Sequence, residues 1–173
     1  HRMPRERLIH AGRFLHFLER DGWEFVRRGN ASAVVAVVAR TDEDAILVVE
    51  QHRRPLDARV LELPAGLVGD DGDHDLLAAA QRELIEETGY RAGQLAVIGR
   101  GPSSAGLCDE IITLVGARDL ERVGPGGGVD GEDITVHAVP HADAEGWLLA
   151  CQEAGLLIDP KVWAGLYLFT SLR

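Results

Sequence analysis

Residues 60–90 constrain the fold of this chain more than any other stretch of its sequence. A short β-rich run over 60–63 leads into Pro64-Ala65-Gly66, and a loop rich in glycine and aspartate follows. An apolar stretch then begins a predicted helix over about 74–88, and Gly89 stands where a helix C-cap is expected. The segment therefore predicts a strand, a tight turn and a helix that packs back against that turn.

The predicted helix carries three glutamates, Glu83, Glu86 and Glu87, on one face of a helix that turns about 100° per residue. Like charges at these spacings repel by roughly a few tenths of a kcal/mol per pair. Two interpretations of the triplet remain open: the glutamates face water, as most glutamates do, or they surround a divalent cation. Carboxylate oxygens suit Mg²⁺ held jointly with substrate phosphates, and the strand and turn before the helix favour this metal site.

Residues 82–90, R-E-L-I-E-E-T-G-Y, resemble without a gap the second half of the Nudix box of the Nudix hydrolases. The first half departs from the family pattern. Fifteen residues separate Gly66 from Arg82, two more than in the family, and His74 stands where the family has a glutamate. Because that glutamate mainly supports the loop and its arginine, we expect Asp73, the nearest acid, to substitute for it.

The resemblance implies an α/β fold, the Nudix α/β/α sandwich with a mixed central sheet, plus a small N-terminal β segment in this chain. It divides the chain into an N-terminal segment over 1–30, for dimerisation and nucleobase contacts, and a Nudix hydrolase domain over 31–173. The implied cofactor is Mg²⁺, for which Mn²⁺ can substitute. Its expected ligands are Glu83, Glu87, Glu86 and the backbone carbonyl of Ala65.

The catalytic set that the resemblance implies is Glu86, Arg82 and Glu132. In related ADP-ribose pyrophosphatases a glutamate in a late loop helps to activate the attacking water, and Glu132 occupies the comparable place. It follows a glycine-rich stretch over 124–131, which we expect to be a mobile loop that brings the base to bound substrate. An exposed loop acid with no catalytic role remains the alternative.

Residues 51–55, Q-H-R-R-P, resemble the Q-Y-R-x-P stretch in which the first arginine contacts the diphosphate. Arg53 is therefore the first choice and Arg54 the second, because a guanidinium gives planar recognition of phosphate. The alternative is a surface cation on a connecting loop. Glu62 matches the acid that precedes L-P-A-G and lies near the substrate in the same subfamily.

Two further residues of the substrate site are implied by the resemblance. Trp23 resembles the tryptophan that stacks on the nucleobase across a dimer interface, although an aromatic at a strand start is also typical of a core. Gly106 belongs to the segment Ser103-Ser104-Ala105-Gly106, where many ADP-ribose enzymes have Ser-Pro-Gly. Since Ala105 replaces the proline, nucleotide sugars such as GDP-mannose or UDP-glucose stay open as substrates.

Elsewhere the chain shows strand patterns that end in two predicted helices, at about 141–154 and 160–172. The runs over 32–39 and 45–51 are β-rich and are joined by a short polar stretch, so we expect them to form a hairpin. Residues 23–26 predict a strand that follows an Asp-Gly turn.

The bulk properties restrict the partners. The chain has 173 residues and a net charge of −10, which argues against nucleic acid as its main partner, because neutralising phosphates needs a basic surface. The two cysteines fit no metal-binding spacing, no apolar run reaches membrane length, and no signal peptide is recognised. We therefore expect a cytoplasmic protein that acts on a small molecule, without a membrane partner, and the resemblance implies a homodimer.

The leading functional hypothesis is a Mg²⁺-dependent Nudix pyrophosphohydrolase that cleaves ADP-ribose to AMP and ribose 5-phosphate. The first alternative is a nucleotide-sugar pyrophosphatase of the GDP-mannose or UDP-glucose type. The second is a non-catalytic Nudix-like ligand sensor, which would more naturally have lost Glu86 or Glu87.

Overall fold

The structure is a computed structural model that describes residues 5–69 and 74–172. The described chain is a mixed α/β fold. Its strands are β1 (Glu6–Ala11), β2 (Leu15–Arg20), β3 (Trp23–Arg28), β4 (Ala33–Ala39), β5 (Ala45–Arg53), β6 (Ala58–Glu62), β7 (Ala65–Val68), β8 (Tyr90–Pro102), β9 (Ile111–Arg122), β10 (Thr135–Pro140) and β11 (Leu157–Ile158). Its helices are α1 (Leu76–Thr88), α2 (Ala144–Glu153) and α3 (Pro160–Phe169).

The N-terminal strands form a separate antiparallel sheet in the order β1-β2-β3. Asp21 and Gly22 join β2 to β3 with φ values of 50° and 84°. Two consecutive positive φ angles are what a tight two-residue hairpin requires. The predicted strand start at Trp23 is therefore confirmed.

The remaining strands form two mixed sheets of four strands, β7-β4-β9-β8 and β10-β5-β6-β11. Strand β4 lies parallel to β9 and antiparallel to β7, whereas β5 pairs with β10 and β6. The predicted hairpin between β4 and β5 is therefore wrong. Both strands are long apolar runs that need cover on two faces, and the turn between them carries the chain from one sheet to the other.

Alternate side chains of β4 build the layers of the fold. Val35 and Val37 belong to a buried cluster with Leu84 of α1, whereas Val38 belongs to a second cluster with Phe169 of α3. Helices thus cover the two sheets from opposite sides, as in the α/β/α sandwich expected from the sequence. Leu84, completely buried, contributes about 1.5–3 kcal/mol of hydrophobic stabilisation.

The C-terminal helices α2 and α3 agree with the two predicted ones and end one and three residues earlier, respectively. Strand β11 was not predicted, because a strand of two residues has too few positions to show a pattern. It runs parallel to the end of β6, and the amide of Asp159 donates to the carbonyl of Leu61. This pairing places the start of α3 beside Glu62.

Candidate active site

Helix α1 begins and ends at clear signals in the sequence. The Asp75 carboxylate accepts hydrogen bonds from the amides of Leu77 and Ala78, both at 3.0 Å, which caps the N-terminus. Gly89 ends the helix in the left-handed region with φ of 78°, so the predicted C-cap is confirmed. These two caps fix the orientation of the glutamates along the helix.

Gly66 lies directly against the carboxylate of Glu83. A Cβ atom added at Gly66 would stand 2.0 Å from the Glu83 Cδ and 2.2 Å from its Oε1. Because no real Cβ contact is that short, only glycine lets β7 and the α1 side chain approach so closely. This contact explains why a glycine stands at the turn.

Glu87 is the most deeply buried acid of α1, with 6% of its surface exposed. Its carboxylate accepts a hydrogen bond from the amide of Ala65 at 3.2 Å. Burial raises the pKa of Glu87 to about 8, the hydrogen bond from Ala65 opposes the shift, and the charges of Glu83 and Glu132 add to it. A cation bound beside these carboxylates would offset their mutual repulsion and the cost of burying the charge of Glu87.

A cavity of about 360 Å³ opens where the turn after β6 meets α1. It brings together five of the residues that the sequence singled out: Ala65, Glu83, Glu87, Glu132 and Arg53. The other lining residues are Arg28, Val34, Gln51, Gly66 and Leu67. Residues from β3, β5, β7, α1 and the loop before β10 therefore converge on one space.

Arg53 and Glu62 form a two-pronged ion pair at one wall of this cavity. The Arg53 Nε and Nη2 donate to the two carboxylate oxygens of Glu62 at 2.7 and 2.9 Å. The pair raises the pKa of Arg53. Glu62 thus holds the guanidinium in a fixed plane, which prepares it to receive an oxyanion.

Three residues of the predicted box take other positions. The Arg82 Nη2 contacts the carbonyl of Leu67 at 3.2 Å and the Glu83 carboxylate at 3.1 Å, so it braces the turn against the helix. Glu86 is half-buried and is not among the described residues that line the cavity. His74 has its Nδ1 3.4 Å from the Ser32 hydroxyl, whereas the predicted substitute Asp73 lies outside the described residues.

The remaining candidates for substrate binding lie away from the glutamates. Arg54 is exposed in the turn after β5. Trp23 is 64% exposed, and its indole N–H donates to the carbonyl of Gly106 at 3.4 Å. The structure therefore brings Trp23 and Gly106 together, at the junction between the N-terminal sheet and the loop that precedes β9.

Arg28 and Gln51 line the cavity, and sequence reasoning did not select them. Arg28 reaches it from the end of β3 and donates to Glu110 at 2.5 Å. No local motif marks Arg28, because it is one arginine among several on exposed strands. Gln51 begins the Q-H-R-R-P stretch, so its position two residues before Arg53 on the same strand face was an available signal.

The oxygen donors of the cavity are of the kind that divalent cations bind. Among residues 5–69 and 74–172, no three acidic, histidine or cysteine side chains already converge as a formed metal site. Two carboxylates, Glu83 and Glu87, nevertheless share the cavity, and Glu132 is close enough to influence the pKa of Glu87. These hard oxygen donors fit Mg²⁺ or Mn²⁺, which keep part of their coordination for water and substrate.

A membrane-spanning helix would have to be longer and more apolar than any helix in the described part of the chain.

Comparisons with known proteins identify a family and several relatives that this chain resembles. The NUDIX domain profile matches residues 29–150. An ADP-ribose pyrophosphatase of Bacillus subtilis is 40% identical over 99 residues, 56% of this chain and 50% of the relative. A methanol dehydrogenase activator of Bacillus methanolicus is 38% identical over 111 residues, 64% of this chain and 57% of the relative. The chain thus spans little more than half the length of these two relatives.

Two further matches extend over most of the chain. An ADP-sugar pyrophosphatase of Mus musculus is 31% identical over 188 aligned positions, 95% of this chain and 85% of the relative. The crystal structure of an ADP compounds hydrolase superposes with a TM-score of 0.62 and covers 83% of each chain. At 21% identity, the latter match concerns the fold alone.

Proposed function

This chain belongs to the Nudix family, and we propose that it is a divalent-metal-dependent hydrolase that cleaves the diphosphate of ADP-ribose. The products are AMP and ribose 5-phosphate. The observation that carries the proposal is the convergence of Glu83, Glu87, Glu132 and Arg53 on one cavity. Diphosphate hydrolysis requires groups that bind a cation, accept a proton and bind a phosphate oxyanion. Here two carboxylates can bind the cation, a third can accept the proton, and a guanidinium can bind the oxyanion.

Glu83 and Glu87, with Glu86 and the carbonyl of Ala65, are the residues that would hold Mg²⁺ or, in its place, Mn²⁺. When bound, the metal neutralises phosphate oxygens and lowers the pKa of a coordinated water. The raised pKa of Glu87 supports the assignment, because this acid pairs with no cationic side chain in the described hydrogen bonds and lies among other acids. Arg82 keeps the turn and Glu83 in register from the other side.

Glu132 is the proposed general base. Glu132 lines the same cavity as Glu83 and Glu87 from the loop before β10, so its carboxylate can accept a proton from a water bound in that cavity. Arg53 binds the diphosphate, and Glu62 orients its guanidinium. Arg54, the next residue along the chain and exposed, is the second candidate for binding the diphosphate.

We propose ADP-ribose as the substrate because two of the relatives are named for ADP compounds. One is an ADP-ribose pyrophosphatase and the other is an ADP-sugar pyrophosphatase. GDP-mannose pyrophosphatases also match, at 31% identity over 129 residues for that of Cronobacter sakazakii. Together with Ala105 in place of proline, this match keeps nucleotide sugars as the second candidate class. Trp23 and Gly106 are the proposed contacts to the nucleobase side of the substrate.

We further propose that the enzyme is a cytoplasmic homodimer in which residues 1–30 form the contact between copies and residues 31–173 the hydrolase domain. Every residue of β1 is exposed, and Leu8, Phe14 and Trp23 are 53%, 52% and 64% exposed. Apolar side chains gathered on a sheet with a free edge are typical of an interface. Both cysteines are unpaired, which supports a reducing compartment.

Sedimentation equilibrium of the wild type and of Leu8→Asp tests the dimer. We expect a dimeric wild type and a weakened dimer in the variant. A monomeric wild type would remove the homodimer from the proposal and leave the chemistry of the cavity untouched.

A substrate panel tests the function. The purified protein is incubated with Mg²⁺ or Mn²⁺ and ADP-ribose, GDP-mannose or UDP-glucose, and the products are separated by chromatography. We expect AMP and ribose 5-phosphate from ADP-ribose at the highest kcat/KM. Faster turnover of a sugar nucleotide would favour the second candidate class. Binding of these compounds without turnover of any would overturn the enzyme and support a ligand sensor.

A further inference from the structure

The glycine-rich stretch before β10 is docked onto the last turn of α1. The Gly127 amide donates to the carbonyl of Glu87 at 2.8 Å, and the Gly128 amide donates to the carbonyl of Glu86 at 3.0 Å. Carbonyls in the last turn of a helix have no partner within the helix, so these amides satisfy groups that would otherwise need water. The loop predicted to be mobile is anchored by its backbone to the helix of the metal-binding glutamates.

Glycine is required for this docking at two levels. Gly126, Gly127 and Gly128 have φ values of 71°, 97° and 85°, a conformation that L side chains rarely adopt. A Cβ at Gly126 would also stand 2.5 Å from the carbonyl carbon of Thr88. A side chain there would push the loop away from the end of α1.

Gly128 has a second contact that its neighbours lack. A Cβ added at Gly128 would lie 2.6 Å from the Glu132 Oε2 and 2.7 Å from the Glu132 Cβ. The same carboxylate oxygen accepts the Val129 amide at 3.1 Å. The amide of Gly128 therefore bonds to the helix of the metal-binding glutamates. The side chain of Glu132 packs against the Cα of Gly128, in the space that a Cβ would occupy.

We infer that Gly128 is a positioning residue that sets Glu132 at a fixed place relative to Glu83 and Glu87 by joining the loop to the C-terminal turn of α1. The inference rests on the proposed function and adds to it the part that aligns the base with the metal site. Ordinary contact begins near 3.4 Å, so a methyl group at Gly128 must displace Glu132 by about 0.8 Å from its 2.6 Å contact. A misplacement of about 1 Å costs roughly 10²-fold in rate.

The test compares Gly128→Ala with Gly131→Ala. Gly131 is a matched control, because its φ of 84° carries the same backbone strain and nothing lies within 4 Å of its added Cβ. We expect Gly128→Ala to lower kcat for ADP-ribose by about 10²-fold, with little change in KM. Gly131→Ala should keep most of the wild-type kcat. Equal losses in the two variants would overturn the inference.

A double variant separates positioning from a general loss of structure. Glu132→Gln alone should lower kcat by about 10²-fold or more, and Gly128→Ala added to it should cost nothing further. Losses that multiply would contradict an action through Glu132. If Gly128→Ala fails to fold, Gly126→Ala lifts the same loop from its other end and should show the same kcat loss and the same lack of additivity.

The outcome is distinguishable from failure of the proposed function. A wild type that turns over no compound of the panel removes the proposed function. An active wild type in which Glu132→Gln has full kcat removes only the present inference, and the metal-site part of the proposal stands.

Discussion

Replacing Gly66 by alanine tests the metal site with a single methyl group. The added Cβ would stand 2.0 Å from the Glu83 Cδ. Since ordinary contact begins near 3.4 Å, the carboxylate must move by about 1.4 Å. The backbone of Gly66 is outside the left-handed region, so alanine adds no backbone strain.

The cost to stability and the cost to activity should differ widely. The colliding atoms are at the flexible end of Glu83, which can leave its rotamer for about 0.5–1.5 kcal/mol. A ligand displaced by more than about 1 Å should lower kcat by roughly 10²-fold or more. We therefore expect Gly66→Ala to stay folded, to need more Mg²⁺ for half-maximal rate, and to turn over far more slowly.

The assay is the initial rate of AMP release at a series of Mg²⁺ concentrations, with urea unfolding on the same preparations. Gly146→Ala is the control, because nothing lies within 4 Å of its added Cβ in the first turn of α2. That variant should keep its rate and gain up to about 1 kcal/mol of stability. Wild-type rates and Mg²⁺ dependence in Gly66→Ala would refute the close approach of Gly66 and Glu83 as a feature of the site.

Two further predictions concern arginine–carboxylate pairs. Arg53→Lys keeps the charge but loses the two-pronged pair with Glu62, so KM for ADP-ribose in steady-state assays should rise about tenfold or more; an unchanged KM would count against Arg53 as a diphosphate ligand. Hydrogen bonds from Arg27 and Arg20 lower the pKa of Glu6 to about 2 from 4.5. The stability that this ion pair contributes is complete above pH 4.5 and is lost as pH falls through 2. The free energy of unfolding in urea should therefore fall more steeply between these pH values for wild type than for Glu6→Gln. Parallel curves would contradict the pair.

The parts of the site that follow from local sequence were predictable. The spacing of Glu83 and Glu87 places both on one helical face, and Gly89 indicates where the helix ends. Both features depend only on residues within one or two helical turns of each other. The structure brings these glutamates to one cavity, although Glu86 of the same triplet does not line it among the described residues.

Contacts between distant segments could not be predicted in the same way. The docking of Gly128 on the carbonyl of Glu86 joins residues 42 positions apart through backbone atoms, which leave no side-chain pattern. The pairing of β4 with β9 was equally unpredictable, because β4 was expected to form a hairpin with β5. A long apolar run indicates a buried strand but does not identify its neighbour.

If Glu87 helps to hold the metal of a diphosphate hydrolase, removing its charge should stop catalysis. The decisive measurement is the rate at which the Glu87→Gln variant releases AMP from ADP-ribose in the presence of Mg²⁺. Without metal, burial raises the pKa of Glu87 to about 8, so glutamine should mimic the uncharged carboxylic acid and the variant should unfold at the wild-type urea concentration when Mg²⁺ is left out. Glu153→Gln, an exposed change at the end of α2, is the control. We expect loss of nearly all turnover in the folded Glu87→Gln protein and full turnover in the control. Wild-type turnover in Glu87→Gln would contradict this expectation.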